Sequence, residues 1–425
     1  MAKPIHPETY LRREYERMFL EAPQAQVVAA PVMAGRALVA AGVLPAVTAE
    51  EIGREYRMAL GLREGGRRFP LWRGDRDGGQ RQPLSAARAV VGDFVVGDPS
   101  DQLLLHQVIF ADDASYLDLS GRVGSHPMPT GGPPARRLPP ARTVAWAGGP
   151  HMQSFFVVDD QRTRATATCG RNSSTDRSWQ GTFSTDRPLS PTTEWIAIDG
   201  HRVRLPPPAP PPAVQVEELE AGSGIQAALF AELAAALSGR GGDPYIEPAE
   251  QALVATGALA PDDPILCSVQ DVAAALAGQR PFAALAEPWA SLLKRWGRTD
   301  GRRGRLAIGA AVGPVAGYSL RFDSLDSDGT GFSVHLATSP GNALGHGLPF
   351  RGGLLPPFQW WAEDDRGNAY LGSEQGHSST PDLAQGQLRF SGPLDPKAQE
   401  LRLIPRGRDQ RAVVTVSLEG LGGRA

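Results

Sequence analysis

The chain has 425 residues, 41% of them hydrophobic, a formal net charge of −3 and only two cysteines. That length supports roughly two to four domains with cores of their own, so no disulfide framework is needed, and Cys169 and Cys267 are expected to be buried thiols of a reducing compartment. The near-neutral balance, with pI ≈ 6.3, excludes a global field that would gather nucleic acid or anionic lipid.

Of the 43 basic residues only Lys3, Lys294 and Lys397 are lysines, a bias of the actinobacterial, G+C-rich type. Arg302, Arg303 and Arg305 form a local basic cluster, read as solvated loop charge. The opening MAKPIHPETYLRREYERMF lacks the layout of a secretory signal, and no run of about 18 apolar residues follows. A cytoplasmic protein with no membrane contact is expected.

From Pro7 to Leu20, Tyr10, Leu11, Tyr15, Met18 and Phe19 recur at helical spacing among charges, which predicts an amphipathic helix. A second helix is expected over 32–41, ended by Gly42, and a third opening at Thr48 with Glu51 as its capping partner. Short alternating runs follow and predict strands at 108–110, 116–119, 155–158, 195–198 and 203–205, with Asp199-Gly200 as a hairpin turn. The prolines of 206–212 predict a stiff spacer; a groove-binding proline ligand is the weaker reading.

Helices are expected again over 225–237, 247–256 (ended by Gly257), 268–276 (capped by Ser268) and about 282–296. Strands are expected at 318–322, 332–336, 358–361, 387–390, 401–404 and 413–418.

The second half echoes the first. Ala37-Leu38-Val39 returns as Ala252-Leu253-Val254, Trp72 as Trp296, Asp159-Asp160 as Asp364-Asp365, and Pro188-Leu189-Ser190-Pro191 as Pro393-Leu394-Asp395-Pro396. Ordered matches of this kind point to internal duplication. The expected fold class is α+β, a tandem duplication of a small helical bundle followed by an antiparallel Ig-like β-sandwich. The boundaries are 1–70 and 71–205 for the first copy, 206–223 for the linker, and 224–298 and 299–425 for the second copy.

Chemistry-bearing patterns are sparse. His106, His126, His151, His201, His335, His346 and His377 are scattered, with no helical zinc spacing and no CxxC, so no metal site is expected. Asp323, Asp326 and Asp328, in FDSLDSDGTG, lack the distal glutamate of a calcium loop and read as the approach to a hairpin turn. No nucleophile elbow and no phosphate loop are present, so neither a catalytic residue nor a cofactor is assigned.

Asp159-Asp160 and Asp364-Asp365 each follow an aromatic pair at a strand end. Neighbouring strand side chains point to opposite faces, so turn-making is the plain reading, and a binding surface of Trp360, Trp361, Asp364 and Asp365 is the candidate site. Trp72 and Trp296 are read as packing helices onto strands.

The functional expectation is a non-catalytic interaction or scaffold protein with an unidentified protein partner; nucleic acid is not expected. Two alternatives stand beside it: a hydrolase or carbohydrate-active enzyme with an acidic site between the copies, and a regulator gripping protein or nucleic acid through its helices.

Overall fold

The computed structural model describes residues 3–20, 34–35, 37–45, 83–97, 103–122, 154–174, 178–219, 225–226, 229, 246–344, 358–380, 382–407 and 409–422. The expected helix at Thr48, most of that at 225–237, and Trp72, Trp146, His126, His151 and His346 lie outside them.

Two sheets dominate. The first holds β1 (Arg88–Val95), β2 (Leu104–Phe110), β3 (Ser115–Arg122), β4 (Ser154–Asp159), β5 (Arg164–Ser174), β6 (Ser178–Thr185), β7 (Trp195–Ile198) and β8 (His201–Arg204). The second holds β9 (Ala213–Glu218), β10 (Arg303–Val315), β11 (Tyr318–Asp328), β12 (Phe332–Ser339), β13 (Gln359–Asp364), β14 (Ala369–Ser379), β15 (Ala384–Phe390), β16 (Glu400–Arg406) and β17 (Gln410–Ser417).

Their strand orders are β1-β2-β3-β6-β5-β4-β7-β8 and β10-β11-β12-β15-β14-β13-β16-β17-β9, all antiparallel, so the second repeats the first and adds β9. Register repeats too. Val157 faces Ile198 as Ala362 faces Leu403, and Leu117 faces Phe183 as Val334 faces Leu388. The β5–β6 bulge at Gly170 returns in β14–β15 at Gln375.

This corrects the expected architecture. Each copy is one hydrogen-bonded sheet curled into a near-closed barrel around a single apolar core, not an Ig-like sandwich of two sheets. Alternation such as Ile196/Ile198 and Leu401/Leu403, all buried, reports that one strand face is inside. It does not report whether the sheet closes on itself or meets another sheet.

The helical expectation is corrected as well. Helices α1 (Pro7–Leu20), α2 (Ile246–Ala255), α3 (Pro264–Leu276) and α4 (Trp289–Leu293) do not form a separate bundle for each copy. Tyr10, Leu11, Leu38 and Leu44 share one cluster with Leu253, Val272, Trp289 and Leu293, and that cluster rests on Ala369 and Leu371 of β14. Ile5 N donates to Ala255 O at 2.8 Å, tying the first copy's leading segment to α2.

The duplicated helix ends match: Gly42 and Gly257 take φ of 77° and 76°, the left-handed stop that glycine adopts freely. The expected cap at Ser268 is replaced by Asp263, whose carboxylate accepts from Ile265 N at 2.9 Å. Pro264 after it has no N–H to satisfy and a helical φ already set. Cys169 is half-buried, while Cys267 is exposed rather than buried. Among the described residues no helix is long and apolar enough to cross a membrane.

Candidate functional site

Asp364, one of the candidate residues, is buried at the β13–β14 turn. It accepts from Arg366 N and Asn368 N (both 2.9 Å), from Asn368 Nδ2 and from Tyr370 Oη (2.7 Å). Asp159, its counterpart, accepts from Thr163 N (2.7 Å) and Ser190 N (2.9 Å). Asp365 accepts from Gln399 N at 3.0 Å, as Asp160 accepts from Glu194 N at 2.7 Å. Both Asp-Asp pairs are thus committed to backbone donors, one folding the hairpin and the other pinning the segment that leads into β16 or β7.

Trp360 lies in the second barrel's core beside Phe358, while Trp361 faces outward, packs on the helical cluster and donates from Nε1 to Glu363 at 2.9 Å. The four candidate residues therefore divide between core, turn and outer face.

A denser polar constellation lies where the barrels meet. β1 runs against β10, and Ala87 N donates to Gly309 O at 3.2 Å. A Cβ on Gly309 would stand 2.2 Å from Ala87 O, so glycine alone permits this approach. Arg321 of β11, 1% exposed, bonds Asp323 through Nε (2.7 Å) and reaches Asp113 of the β2–β3 turn at 3.8 Å. Tyr116 Oη donates to the same Asp113.

Beside them, His335 and Arg305 hold Asp326 at 3.1 and 2.7 Å, and Arg305 reaches Asp93 of β1 at 3.6 Å. Asp93 in turn lies 2.6 Å from His106, whose other nitrogen meets Ser120.

Burial sets the electrostatics of this layer. Desolvation raises the Asp323 pKa despite the opposing charge and hydrogen bond of Arg321. For His335, burial pulls down, but the bond and charge of Asp326, with the charges of Asp118 and Asp323, more than offset it, and the pKa is raised. For Asp326 burial pushes up, yet His335 and Arg305 together lower its pKa. Asp323 and Asp326 each face a cation inside the layer, while Asp118 Oδ1, Arg321 Nη2 and Gln107 Nε2 are buried with no hydrogen-bond partner among the described residues. Asp323 and Asp326, expected to lead into a turn, belong to this layer instead; of the three only Asp328 serves the turn, accepting from Thr330 N (2.7 Å) and Gly331 N (3.0 Å).

A cleft of about 470 Å³ opens where the chain leaving α4 meets the outer face of β14 and β15. Trp296 and Leu371 supply apolar wall, while the Phe390 ring stays in the barrel core stacked on Phe332; Arg298 and Arg389, with Thr299, Thr330, Ser373, Gln375 and Ser391, supply polar groups. Arg389 is oriented by Asp328 at 2.7 Å, and Arg298 by Asp300 at 2.8 Å. Trp361 adjoins the cleft through its register partner Leu371.

The sequence signal for this site was divergence between copies. Arg389, Gln375 and Leu371 stand where the first copy has Ser184, Gly170 and Thr166. Trp296, expected to pack helix onto strand, also lines this cleft. Among the described residues no group of three or more His, Cys, Asp and Glu is arranged to hold a metal.

No protein-family model matches the chain, and no curated protein matches it. A solved structure described as the crystal structure of the conserved domain protein from Bacillus anthracis aligns over 74% of this chain and 76% of its own, at 9% identity and a TM-score of 0.16. A likeness at that level carries no argument about fold or function.

Proposed function

We propose that this chain is a non-catalytic cytoplasmic interaction protein that holds a segment of a protein partner in the cleft between α4 and the second barrel. The observation behind this reading is the lining itself, Trp296 and Leu371 beside two oriented guanidinium groups and several hydroxyls, with no carboxylate among the lining residues. Aromatic and arginine side chains are the residues most enriched in energetic centres of protein interfaces. Such a cleft suits a partner segment carrying an apolar anchor and a carboxylate. The cytoplasmic part of the reading rests on the scarcity of cysteine in a chain of this length.

The test is affinity capture from the native host with the wild type and with R298E and Q375K, two changes on the cleft lining. A specific protein retained by the wild type and lost by both variants, with thermal unfolding unchanged, supports the proposal. Equal retention by all three overturns it.

A further inference from the structure

The two barrels are completed unequally. In the second, β17 is covered along its outer edge by β9, and β9 in turn lies beside β10. In the first, the sheet ends at β8, and among the described residues its opposite end, β1, meets the segments flanking the β7–β8 hairpin through the Arg88 side chain. Arg88 of β1 donates to the carbonyl oxygens of Pro191 (2.9 Å), Thr193 (2.5 Å) and Pro206, and the His201 ring lies against Gly97.

The β7–β8 register fixes which backbone groups face that gap. Leu205 N donates to Glu194 O, and in the same register Val203 faces Ile196 and His201 faces Ile198. Antiparallel ladders alternate, so Arg202 and Arg204 turn their N–H and C=O away from β7. Both side chains are exposed, Arg202 lying across Trp195 at 3.9 Å. Across the gap, Val95 of β1 is 49% exposed. Among the described residues these backbone groups pair with no neighbouring strand, and a strand edge of that kind is a template for another strand.

β9 shows what such an occupant looks like. Its sequence AVQVEE alternates apolar and polar residues, places Val214 against the core and pairs Glu217 with Arg411 at 2.7 Å and Glu218 with Gln410 at 2.8 Å. We propose that the β8 edge of the first barrel takes an extended, acidic segment of a partner protein as an added strand, paired through the gap-facing backbone groups of Arg202 and Arg204 and facing their guanidinium groups. This surface is separate from the α4 cleft, so either assignment can fail without the other.

The experiment titrates the full chain into a fluorescein-labelled peptide of β9 sequence, Pro211 to Leu219, and follows backbone amide exchange in the mixture. Saturable binding, slowed exchange at Arg202 and Arg204, and at least tenfold weaker binding in R204P and in R202E/R204E are expected. Proline at Arg204 removes a gap-facing donor and leaves the β7 ladder in place, as edge strands tolerate. R298E, on the cleft, is expected to bind the peptide as the wild type does. No saturable binding, protection confined to β17, undiminished binding by R204P, or exchange of β9 between two copies to give a dimer would each overturn the proposal.

Discussion

Gln107 and Ser324 occupy the same position in the two copies and hydrogen-bond to each other. Each follows a bulge residue, His106 in β2 and Asp323 in β11, and Ser324 Oγ donates to Gln107 Oε1 at 2.8 Å, with the two residues 4% and 1% exposed. Their register partners, Asp118 and His335, are likewise equivalent, and the Asp118 charge acts on His335. Contact between identical positions is the pattern of an isologous dimer face, preserved here inside one chain.

Arg321 anchors that face. Replacing it with Met leaves Asp323 buried without its cation, so R321M is expected to lose about 3–5 kcal/mol in urea unfolding. The double variant R321M/D323L is expected to recover most of the loss. A double variant as unstable as R321M would show that the arginine acts through its other contacts.

The His335–Asp326 pair gives the joint a pH window. The raised pKa of His335 contributes stability below its unfolded value near 6.5 that disappears as pH rises through the folded value. The lowered pKa of Asp326 contributes stability above its unfolded value near 3.8 that disappears as pH falls. H335Q is therefore expected to flatten the decline in stability above neutrality by up to about 1 kcal/mol, since the pair is partly solvent-screened. Denaturation midpoints at pH 5.5 and 8.5 check this, and an unchanged slope in H335Q contradicts it.

The turn carboxylates differ in weight. D364A orphans several donors in a buried turn and is expected to cost about 3 kcal/mol. D365A, whose partners are exposed backbone N–H groups, is expected to cost less than 1 kcal/mol. Equal costs in urea titrations would contradict the assignment of Asp364 to the turn.

Arg162 holds φ of 64° where the second copy has Gly367 at 71°. The left-handed region costs a side chain roughly 1–2 kcal/mol, against roughly 0.5–1 kcal/mol for glycine's extra freedom when unfolded. R162G is expected to gain about 0.5–1 kcal/mol. A fall in melting temperature would refute it.

Much of this organisation was legible because it is local. Asp159 and Asp364, Gly42 and Gly257, and the Asp199-Gly200 turn each carry their reason within a few residues. Closure of the sheets was not, since Ile196 and Leu401 alternate identically in a sandwich and in a barrel. The shared helical cluster escaped for a related reason: the apolar face holding Leu11 states that a partner exists, not that α2 is the partner. Strands β1, β5, β6, β9, β10 and β14 have no counterpart among the expected strands, β9 falling inside the expected 206–223 linker; in β5 and β6, RATATCGRNSS and SWQGTFST are too polar to stand out, although the ladder buries Ala165, Ala167, Trp179 and Phe183. The joint was invisible because Asp113 and Arg321 are far apart in the chain and meet only when the barrels dock.

The double-mutant cycle of Gln107→Ala and Ser324→Ala tests most directly whether the two barrels pack through equivalent strands. A coupling of about 1 kcal/mol in unfolding free energy is predicted for this buried pair. Additivity within error would contradict the joint.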